Sequence, residues 1–308
     1  MLPATLLTIV ISSSPLLVHA TSSTKRGLCY VPSDEHASDD DLWTASSTPL
    51  TWYYNYQSTP SSALSSSGLT FVPMLWGATD GVDSGFYSAV KAQLDAGEAI
   101  SHVLGFNEPD GESDTGGSDM PAAVAARAWQ AELEPLRALG VKLGAPAVTG
   151  SPGGLEWLDA FFEACDGGCA VDFVPVHWYG NFEGLASHLG QVRERFENKS
   201  IWVTEYNLPD AELDETQEFY NMSAEYFDRL DYVTHYSLFG AFRSDDSNVG
   251  PNGAMLDSDG DLTDIGSWYL GGAATGNEPD SASAKLGAAA FAGWGVLLVA
   301  VAGAWSLL

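Results

Sequence analysis

The stretch HVLGFNEPD, residues 102–110, runs from an apolar segment directly into Asn107, Glu108 and Pro109. Asparagine and glutamate are disfavoured inside strands, and proline cannot donate a hydrogen bond to a neighbouring strand. The pattern therefore predicts a buried strand that stops here and presents the carboxylate of Glu108 at its carboxyl end.

Further apolar runs of the same character recur along most of the chain. The full set is RGLCYV, LTWYYNY, LTFVPMLWG, HVLGFNEPD, VKLGAPAV, VDFVPVHWYG, IWVTEYNL and YVTHYSLFGAF. Their near-continuous hydrophobicity is typical of strands buried on both faces, as in parallel sheets, and amphipathic helix patterns lie between several of them. Eight strands with intervening helices over about 250 residues predict a single α/β domain with the (β/α)8 TIM-barrel fold. A doubly wound open sheet is the alternative, but no glycine-rich dinucleotide loop follows the first run.

The amino-terminal residues 1–20 are predicted to lie outside the domain. They open with an apolar run and close on Val18-His19-Ala20, a pattern typical of a secretory signal peptide, with a short buried helix as the alternative. The predicted (β/α)8 domain is then expected over residues 21–276.

The carboxyl-terminal residues 277–308 form a polar spacer followed by an apolar tail that begins at Leu286. Small residues near Ser281, a spacer and an apolar tail predict a GPI-attachment signal, whose site could also lie nearer Gly276 or Asn277. A plain transmembrane tail is the alternative. We therefore expect a secreted protein of the cell surface or cell wall, which contacts the membrane only through this anchor.

The overall charge excludes one class of partner. The 308-residue chain has a formal net charge of −29, whereas a nucleic-acid binder must neutralise phosphates with lysine and arginine. No CxxC pair and no cysteine/histidine spacing indicates a zinc site. The sequence therefore predicts no nucleic-acid partner, no metal and no cofactor.

Three cysteines and two sequons suit a secreted chain. Cys165 and Cys169 lie in CDGGC, where glycines allow a tight closure, and they predict a disulfide in an oxidising compartment. Cys29 is left over as a buried thiol. Asn198 and Asn221 each begin an Asn-X-Ser sequon and are predicted glycosylation sites.

The candidate site is read from the ends of the apolar runs, because active sites of barrels form at the carboxyl ends of the strands. Two carboxylates, Glu108 and Glu205, end the fourth and seventh runs. Aromatic and polar residues of these and other runs complete the predicted site: Asn107, His177, Trp178, Tyr179, Tyr206, Asn207, Trp76, Tyr53 and Tyr236. Sugar rings pack their C–H faces on aromatic rings while their hydroxyls seek polar partners. Paired carboxylates can cleave a glycosidic bond, so the pattern predicts a carbohydrate site.

The motifs GFNEPD, HWYG and VTEYN resemble the glycoside hydrolases of clan A, and more closely the Asl1-like catalytic domain of glycoside hydrolase family 128. The resemblance extends over about Lys25 to Gly271 and implies a β-1,3-glucanase on a (β/α)8 barrel. By this resemblance Glu108 is the acid/base and Glu205 the nucleophile. Asn107 would bind the sugar 2-hydroxyl, and His177 with Tyr179 would orient Glu205 or the substrate.

These observations lead to one expected function and one alternative. We expect a monomeric, retaining hydrolase of fungal cell-wall β-1,3-glucan, acting in an endo or exo manner, with its two carboxyl groups about 5–5.5 Å apart. Four aromatic residues are expected to line the groove: Trp178, Tyr206, Trp76 and Tyr53. The alternative is a cell-surface protein that binds β-1,3-glucan oligosaccharides with little or no cleavage, as the resembled family also contains such members.

Overall fold

The computed structural model describes residues 23–45, 47–79 and 84–279. The predicted signal peptide and the apolar carboxyl-terminal tail lie outside these ranges, so both stay predictions. Within the described ranges, no helix is both long enough and apolar enough to cross a membrane.

Each of the apolar runs contributes one strand, and the paired strands are all parallel. In chain order the strands are β1 Gly27–Cys29, β2 Trp52–Tyr54, β3 Thr70–Phe71, β4 His102–Val103, β5 Lys142–Leu143, β6 Phe173–Tyr179, β7 Ser200–Asn207 and β8 Val233–Tyr236. The helices are α1 Asp40–Thr44, α2 Phe86–Asp95, α3 Ala122–Ala128, α4 Pro152–Cys165, α5 Phe182–Arg195, α6 Leu213–Arg229 and α7 Asp264–Tyr269. A π turn at Trp129–Leu133 and a 3-10 segment at Glu134–Leu139 continue α3, which Pro135 prevents from remaining a regular helix. The remaining 3-10 segments are Ala37–Asp39, Ser113–Thr115, Ser244–Asp246 and Pro251–Gly253.

The strands form three small sheets with the orders β1-β2-β3, β4-β5 and β6-β7-β8. Isolated parallel bridges connect the edges of these sheets: Met74 with Leu104, Gly144 with Phe173, and Arg26 with Tyr236. Consecutive strands are neighbours throughout these ladders, without the reversal of order that a doubly wound sheet requires. The predicted single α/β domain is confirmed, whereas the ladders do not form one continuous closed sheet.

The helices begin where the sequence supplies a capping group. Ser151, Asn181 and Thr263 each accept a hydrogen bond from a backbone N–H in the first turn of α4, α5 and α7, respectively. Helix α2 is capped by a residue that is distant in sequence. The buried carboxylate of Glu132 accepts hydrogen bonds from the N–H groups of Ser84 and Tyr87 at 2.8 and 2.7 Å. These caps fix where each helix packs against the strands.

The two faces of the strands pack into two different apolar cores. The larger core lies against the helices. The smaller one, which we call the inner cluster, draws residues from all three sheets: Cys29, Trp52, Tyr54, Val72, Met74, Leu104, Phe173 and Trp202. Side chains of the strands therefore alternate between the inner cluster and the helix-facing core.

The predicted disulfide is confirmed, since Cys165 at the end of α4 is bonded to Cys169. Cys29 is a buried free thiol, as expected. Asn198 and Asn221 are both exposed, on the turn before β7 and on α6. Their glycosylation stays a prediction.

His235, which packs on the inner cluster, is expected to make the folded protein less stable in acid. The ring of His235 stacks on Trp202 with centroids 3.6 Å apart, and burial, reinforced by nearby His102, lowers the pKa of His235 from 6.5 to about 3. The unfolded chain therefore takes up this proton first as the pH falls. Its contribution to stability is complete above pH 6.5 and is lost progressively towards pH 3. Allowing for partial exposure of the ring, we expect a loss of roughly 2 kcal/mol in the free energy of unfolding by about pH 4.

Urea unfolding at neutral and acidic pH would measure this loss. The matched control is His235→Phe, which keeps an aromatic ring on Trp202 but has no proton to gain. A variant that loses as much stability in acid as the parent would contradict the assignment to His235.

Candidate active site

Glu108 is held by backbone geometry at the carboxyl end of the fourth strand segment. Its N–H donates to the carbonyl of Ala147 at 2.7 Å, and its φ of 39° is left-handed, a conformation that residues other than glycine rarely adopt. Asp110 fixes the following turn by accepting from the N–H of Thr149 at 2.9 Å and from its hydroxyl. Strained backbone that neighbouring contacts hold in place is typical of functional sites.

A β-bulge aims Glu205 towards Glu108. The register pairs Val176 with Val203 and then His177 with Glu205, so Thr204 is an extra residue in β7. If β7 alternated regularly from Trp202 through Thr204, Glu205 would face the helices. The carbonyl of Thr204 accepts from the hydroxyls of Tyr54 at 3.0 Å and Ser237 at 2.6 Å, which hold the bulge in place.

Phenols hold the two carboxylate oxygens of Glu205. The hydroxyl of Tyr179 donates to Oε2 at 2.6 Å, and the hydroxyl of Tyr56 donates to Oε1 at 2.8 Å. Tyr54 makes a longer contact to Oε1 at 3.4 Å. The carboxylate is buried, with 6% of its side chain exposed, so these donors replace water in fixing its orientation.

His177 lies between the two carboxylates. Its Nδ1 is 3.0 Å from Oε1 of Glu108 and 3.5 Å from Oε2 of Glu205. One ligand atom from each of the three side chains lies within 4.8 Å of the other two. Such a donor set could in principle hold a cation. Here each oxygen of Glu205 instead accepts a phenol O–H, and we interpret the cluster as a hydrogen-bonded acid–base site.

The electrostatics couple these groups. Burial raises the pKa of the Glu205 carboxyl, against the opposing effects of His177 and the two phenols. Burial favours the neutral form of His177, but the carboxylates of Glu205 and Glu108 outweigh it and raise the pKa of the imidazole. The site thus pairs an oriented, buried carboxyl with a more exposed one, 13% of whose side chain reaches solvent. This arrangement can supply a nucleophile and a proton donor side by side.

The structure brings together six of the predicted site residues. Glu108, Glu205, His177 and Tyr179 contact one another as described. The N–H of Asn107 donates to the carbonyl of Trp76 at 2.9 Å, which links the remaining two at the same end of the strands. Asn107 is 4% exposed and its Oδ1 has no partner within the described residues. Trp76 is half-buried against the inner cluster.

Three aromatic residues that were predicted to bind substrate prove to be core residues. Tyr53, Tyr206 and Tyr236 are at most 2% exposed and belong to the helix-facing core. Tyr206 packs edge-on against Phe227 with centroids 4.9 Å apart, and the hydroxyl of Tyr236 accepts from Arg26 at 3.0 Å. The prediction that they bind substrate is wrong, because each is one residue out of phase with an inward-facing neighbour.

Asn207 and Trp178 are also placed differently from the prediction. The amide of Asn207 donates to the carbonyls of Phe239 at 2.7 Å and Gly253 at 3.0 Å, so it braces a loop. The ring of Trp178 lies on the helix side, stacked on His188 with centroids 5.4 Å apart. A Cβ at Gly184 would lie 2.2 Å from that ring, so only glycine at this position leaves room for the ring of Trp178.

Sequence reasoning missed Tyr54 and Tyr56 as site residues. Both lie in the run LTWYYNY, in which Tyr53 was favoured. Alternation places residues 52, 54 and 56 on one face, but only the structure shows that this is the inward face, through the burial of Trp52 in the inner cluster. Phe239, edge-on to Tyr179 with centroids 5.8 Å apart, was missed as well.

The chain belongs to the glycosyl hydrolase catalytic core family. The family model of that description matches residues 27–269 of this chain. The family assignment predicted from the three sequence motifs is therefore confirmed, and the matched span contains the whole site described above.

Individual relatives agree with this assignment. Alkali-sensitive linkage protein 1 of Schizosaccharomyces pombe is 32% identical over 259 residues, which are 80% of this chain and 44% of that protein. This chain thus spans less than half the length of that relative. A family 128 endo-β-1,3-glucanase from Amycolatopsis mediterranei, solved as a Glu-to-Gln mutant with laminarihexaose, is 29% identical; the match covers 81% of this chain and 100% of that one, with a TM-score of 0.63. A family 128 oligosaccharide-binding protein from Cryptococcus neoformans is 26% identical over 84% of this chain and 97% of that one, with a TM-score of 0.61.

Proposed function

We propose that this protein is a retaining hydrolase of β-1,3-glucan in a fungal-type cell wall. The observation that carries the proposal is the pair Glu108 and Glu205, which approach each other within 4.8 Å through single oxygens while phenols hold the second carboxylate. A gap this short supports retention, because inversion requires carboxyl groups about 6.5–9.5 Å apart to admit a water. The laminarihexaose bound by the Amycolatopsis relative supports β-1,3-glucan as the substrate class.

We also propose that the three sheets together form one closed (β/α)8 barrel. The isolated bridges at all three sheet junctions support closure, and so does the inner cluster shared by the three sheets. Glu108, His177 and Glu205 then stand around one mouth, where barrel enzymes carry their chemistry.

The proposed reaction has two balanced steps. In the first, an oxygen of Glu205 attacks the anomeric carbon while Glu108 gives its proton to the departing glycosidic oxygen, leaving a glycosyl ester on Glu205. In the second, Glu108 takes a proton from water, the water oxygen attacks the anomeric carbon, and the ester bond to Glu205 breaks. His177 lies between the carboxyls and can compensate their changing charge.

Incubation of the purified domain with laminari-oligosaccharides tests the proposal. Product masses would report cleavage, and proton NMR of the first-formed product would report its anomeric configuration. A β-configured first product supports retention, whereas an α-configured one contradicts it. Oligosaccharides longer than the substrate would reveal transfer to a second glucan in place of water.

A glucan-binding protein without turnover is the second candidate. It is favoured by the Cryptococcus relative, which is an oligosaccharide-binding protein with the same fold. It is also favoured by the burial that raises the pKa of Glu205, because a protonated carboxyl is a poor nucleophile. Saturable binding of laminari-oligosaccharides with no products after long incubation would establish this reading and exclude the hydrolase.

Trp76→Ala is expected to weaken glucan binding. The ring is half-buried on the inner cluster beside Asn107, where it can offer a face to a sugar. We expect affinity for laminari-oligosaccharides to fall about tenfold or more in calorimetric titration, equivalent to about 1.4 kcal/mol. The matched control is Trp178→Ala, which empties a slot on the helix side and should lower thermal stability more than affinity. Equal effects of the two variants on binding would contradict the placement.

We propose that the protein is secreted and GPI-anchored. The terminal segments 1–20 and 277–308 motivate this proposal. Phosphatidylinositol-specific phospholipase is expected to release the protein from membranes of the producing cell. Retention after treatment, with the apolar tail still present by mass spectrometry, would indicate a transmembrane anchor instead.

A further inference from the structure

We propose that Tyr56, supported by the thiol of Cys29, is a positioning residue that fixes one oxygen of Glu205 and favours its ionised form. This inference deepens the proposed function and rests on it. It concerns residues of the first two strand segments, which none of the sequence motifs includes.

The geometry forms a continuous chain of three side chains. Sγ of Cys29 lies 3.0 Å from the hydroxyl oxygen of Tyr56, and that hydroxyl lies 2.8 Å from Oε1 of Glu205. Tyr179 holds the other oxygen. Each oxygen of the carboxylate thus has its own phenol, one approaching from β6 and one from the segment after β2.

The direction of the protons follows from the inventory of donors. A phenol has one proton, and Tyr56 uses it on Glu205, so its contact with Cys29 requires the thiol to donate to the phenol oxygen. Burial raises the pKa of the Cys29 thiol, which keeps that proton in place. A donor that itself receives a hydrogen bond becomes a stronger donor. Cys29 therefore strengthens the bond from Tyr56 to Glu205.

The backbone at Tyr56 is consistent with this role. Its φ of 61° is left-handed, which is unusual for a bulky residue. The side chain of Asn55 stabilises the turn by accepting from the N–H of Gln57 at 3.2 Å and donating to the carbonyl of Thr59 at 3.1 Å. The ring then packs edge-on against Tyr54 with centroids 5.1 Å apart. A strained conformation held by so many contacts points to a functional constraint.

The other groups facing Glu205 determine the direction in which its pKa should move when the Tyr56 hydroxyl is removed. Burial raises the pKa of Glu205 and Glu108 disfavours a second negative charge, whereas His177, Tyr179 and Tyr56 favour the carboxylate. Tyr54 makes a longer contact to Oε1, at 3.4 Å, from β2. Asp110 acts more remotely, through His177. Removing the Tyr56 hydroxyl takes away one stabilising donor, so Glu205 should hold its proton to a higher pH.

Tyr56→Phe tests this inference through the titration of Glu205. Infrared difference spectra of the carboxyl band, with Glu205→Gln as the blank, give the midpoint without any need for turnover. We expect the midpoint to rise by about one pH unit, as for the loss of one hydrogen bond to a charged group. The acidic limb of kcat/KM should move in the same direction. An unchanged midpoint would overturn the proposal.

Cys29 variants supply the second arm. Cys29→Ala should raise the midpoint by a smaller amount, and Cys29→Ser, which keeps a donor, should stay nearer the parent. In the Tyr56→Phe background, Cys29→Ala should add nothing. An equal shift from Cys29→Ala in both backgrounds would mean that the thiol acts independently of Tyr56 and would overturn the relay.

The two readouts separate this inference from the proposed function. A parent that never cleaves laminari-oligosaccharides, but whose Glu205 midpoint shifts in Tyr56→Phe, would refute the hydrolase and leave the positioning role intact. A parent that cleaves, with no shift in the variant, would refute the positioning role alone.

Discussion

Glu205→Ala is expected to abolish hydrolysis of β-1,3-glucan. The variant lacks the oxygen that would form the glycosyl ester, and turnover should fall on the order of 10⁶-fold, as when other enzymes lose a covalent nucleophile. The cavity left by the carboxylate lies beside the phenols of Tyr56 and Tyr179. A small anion such as azide could enter it and attack the anomeric carbon, giving an α-glycosyl azide detectable by mass spectrometry and NMR.

Tyr206→Phe is the matched control for this experiment. Tyr206 follows Glu205 in β7 but faces the helices, and its buried hydroxyl has no partner within the described residues. Removing an unsatisfied buried hydroxyl should leave turnover unchanged and stability equal or slightly higher. A Glu205→Ala protein that folds and still cleaves glucan at the parent rate would remove Glu205 from the mechanism.

Glu108→Ala should produce a loss that depends on the leaving group. The natural leaving group is a sugar alkoxide, which needs a proton, so we expect kcat/KM on laminari-oligosaccharides to fall about 10²–10⁴-fold. An aryl β-glucoside with an acidic phenol needs no such help, and its first step should be nearly unaffected. A burst of phenol followed by slow turnover would show that the second step still lacks its base.

The comparison between the two substrates is decisive for Glu108. If the variant is equally impaired on laminari-oligosaccharides and on the aryl β-glucoside, the loss reflects disturbed folding or substrate binding and not the absence of a proton donor. Circular dichroism and thermal unfolding would separate these cases, because the side chain of Glu108 is partly exposed and its replacement leaves the cores intact.

The positions of the strands were predictable, whereas the direction of individual side chains was not. Each apolar run contains a strand, because burial on both faces leaves a signal that does not depend on register. Choosing between Tyr53 and Tyr54 requires the phase of a three-residue strand, and both faces of that strand are apolar. A period-2 pattern carries no information when every position is hydrophobic, so the wrong tyrosine was favoured.

The same limit applies around the nucleophile. Glu205 itself was predicted from its place at the end of a run, together with Glu108. The neighbours Tyr206 and Asn207 were predicted to bind substrate because they follow Glu205 in the chain. The extra residue Thr204 decides which of them faces inward, and no residue type marks a bulge of this kind in the sequence. Loop bracing by Asn207 depends on carbonyls more than thirty residues away.

The bulge at Thr204 also bears on how such a site can change over time. It divides β7 into a lower segment, whose alternation satisfies the inner cluster through Trp202, and an upper segment, whose alternation serves Glu205. A point substitution in one segment leaves the phase of the other untouched. Straightening the bulge, so that Thr204 took a regular place in the alternation, would by contrast exchange the directions of Glu205 and Tyr206 at once, burying a charge and exposing a ring. The backbone geometry of the bulge therefore constrains the site more strictly than the identity of any one residue in the strand does.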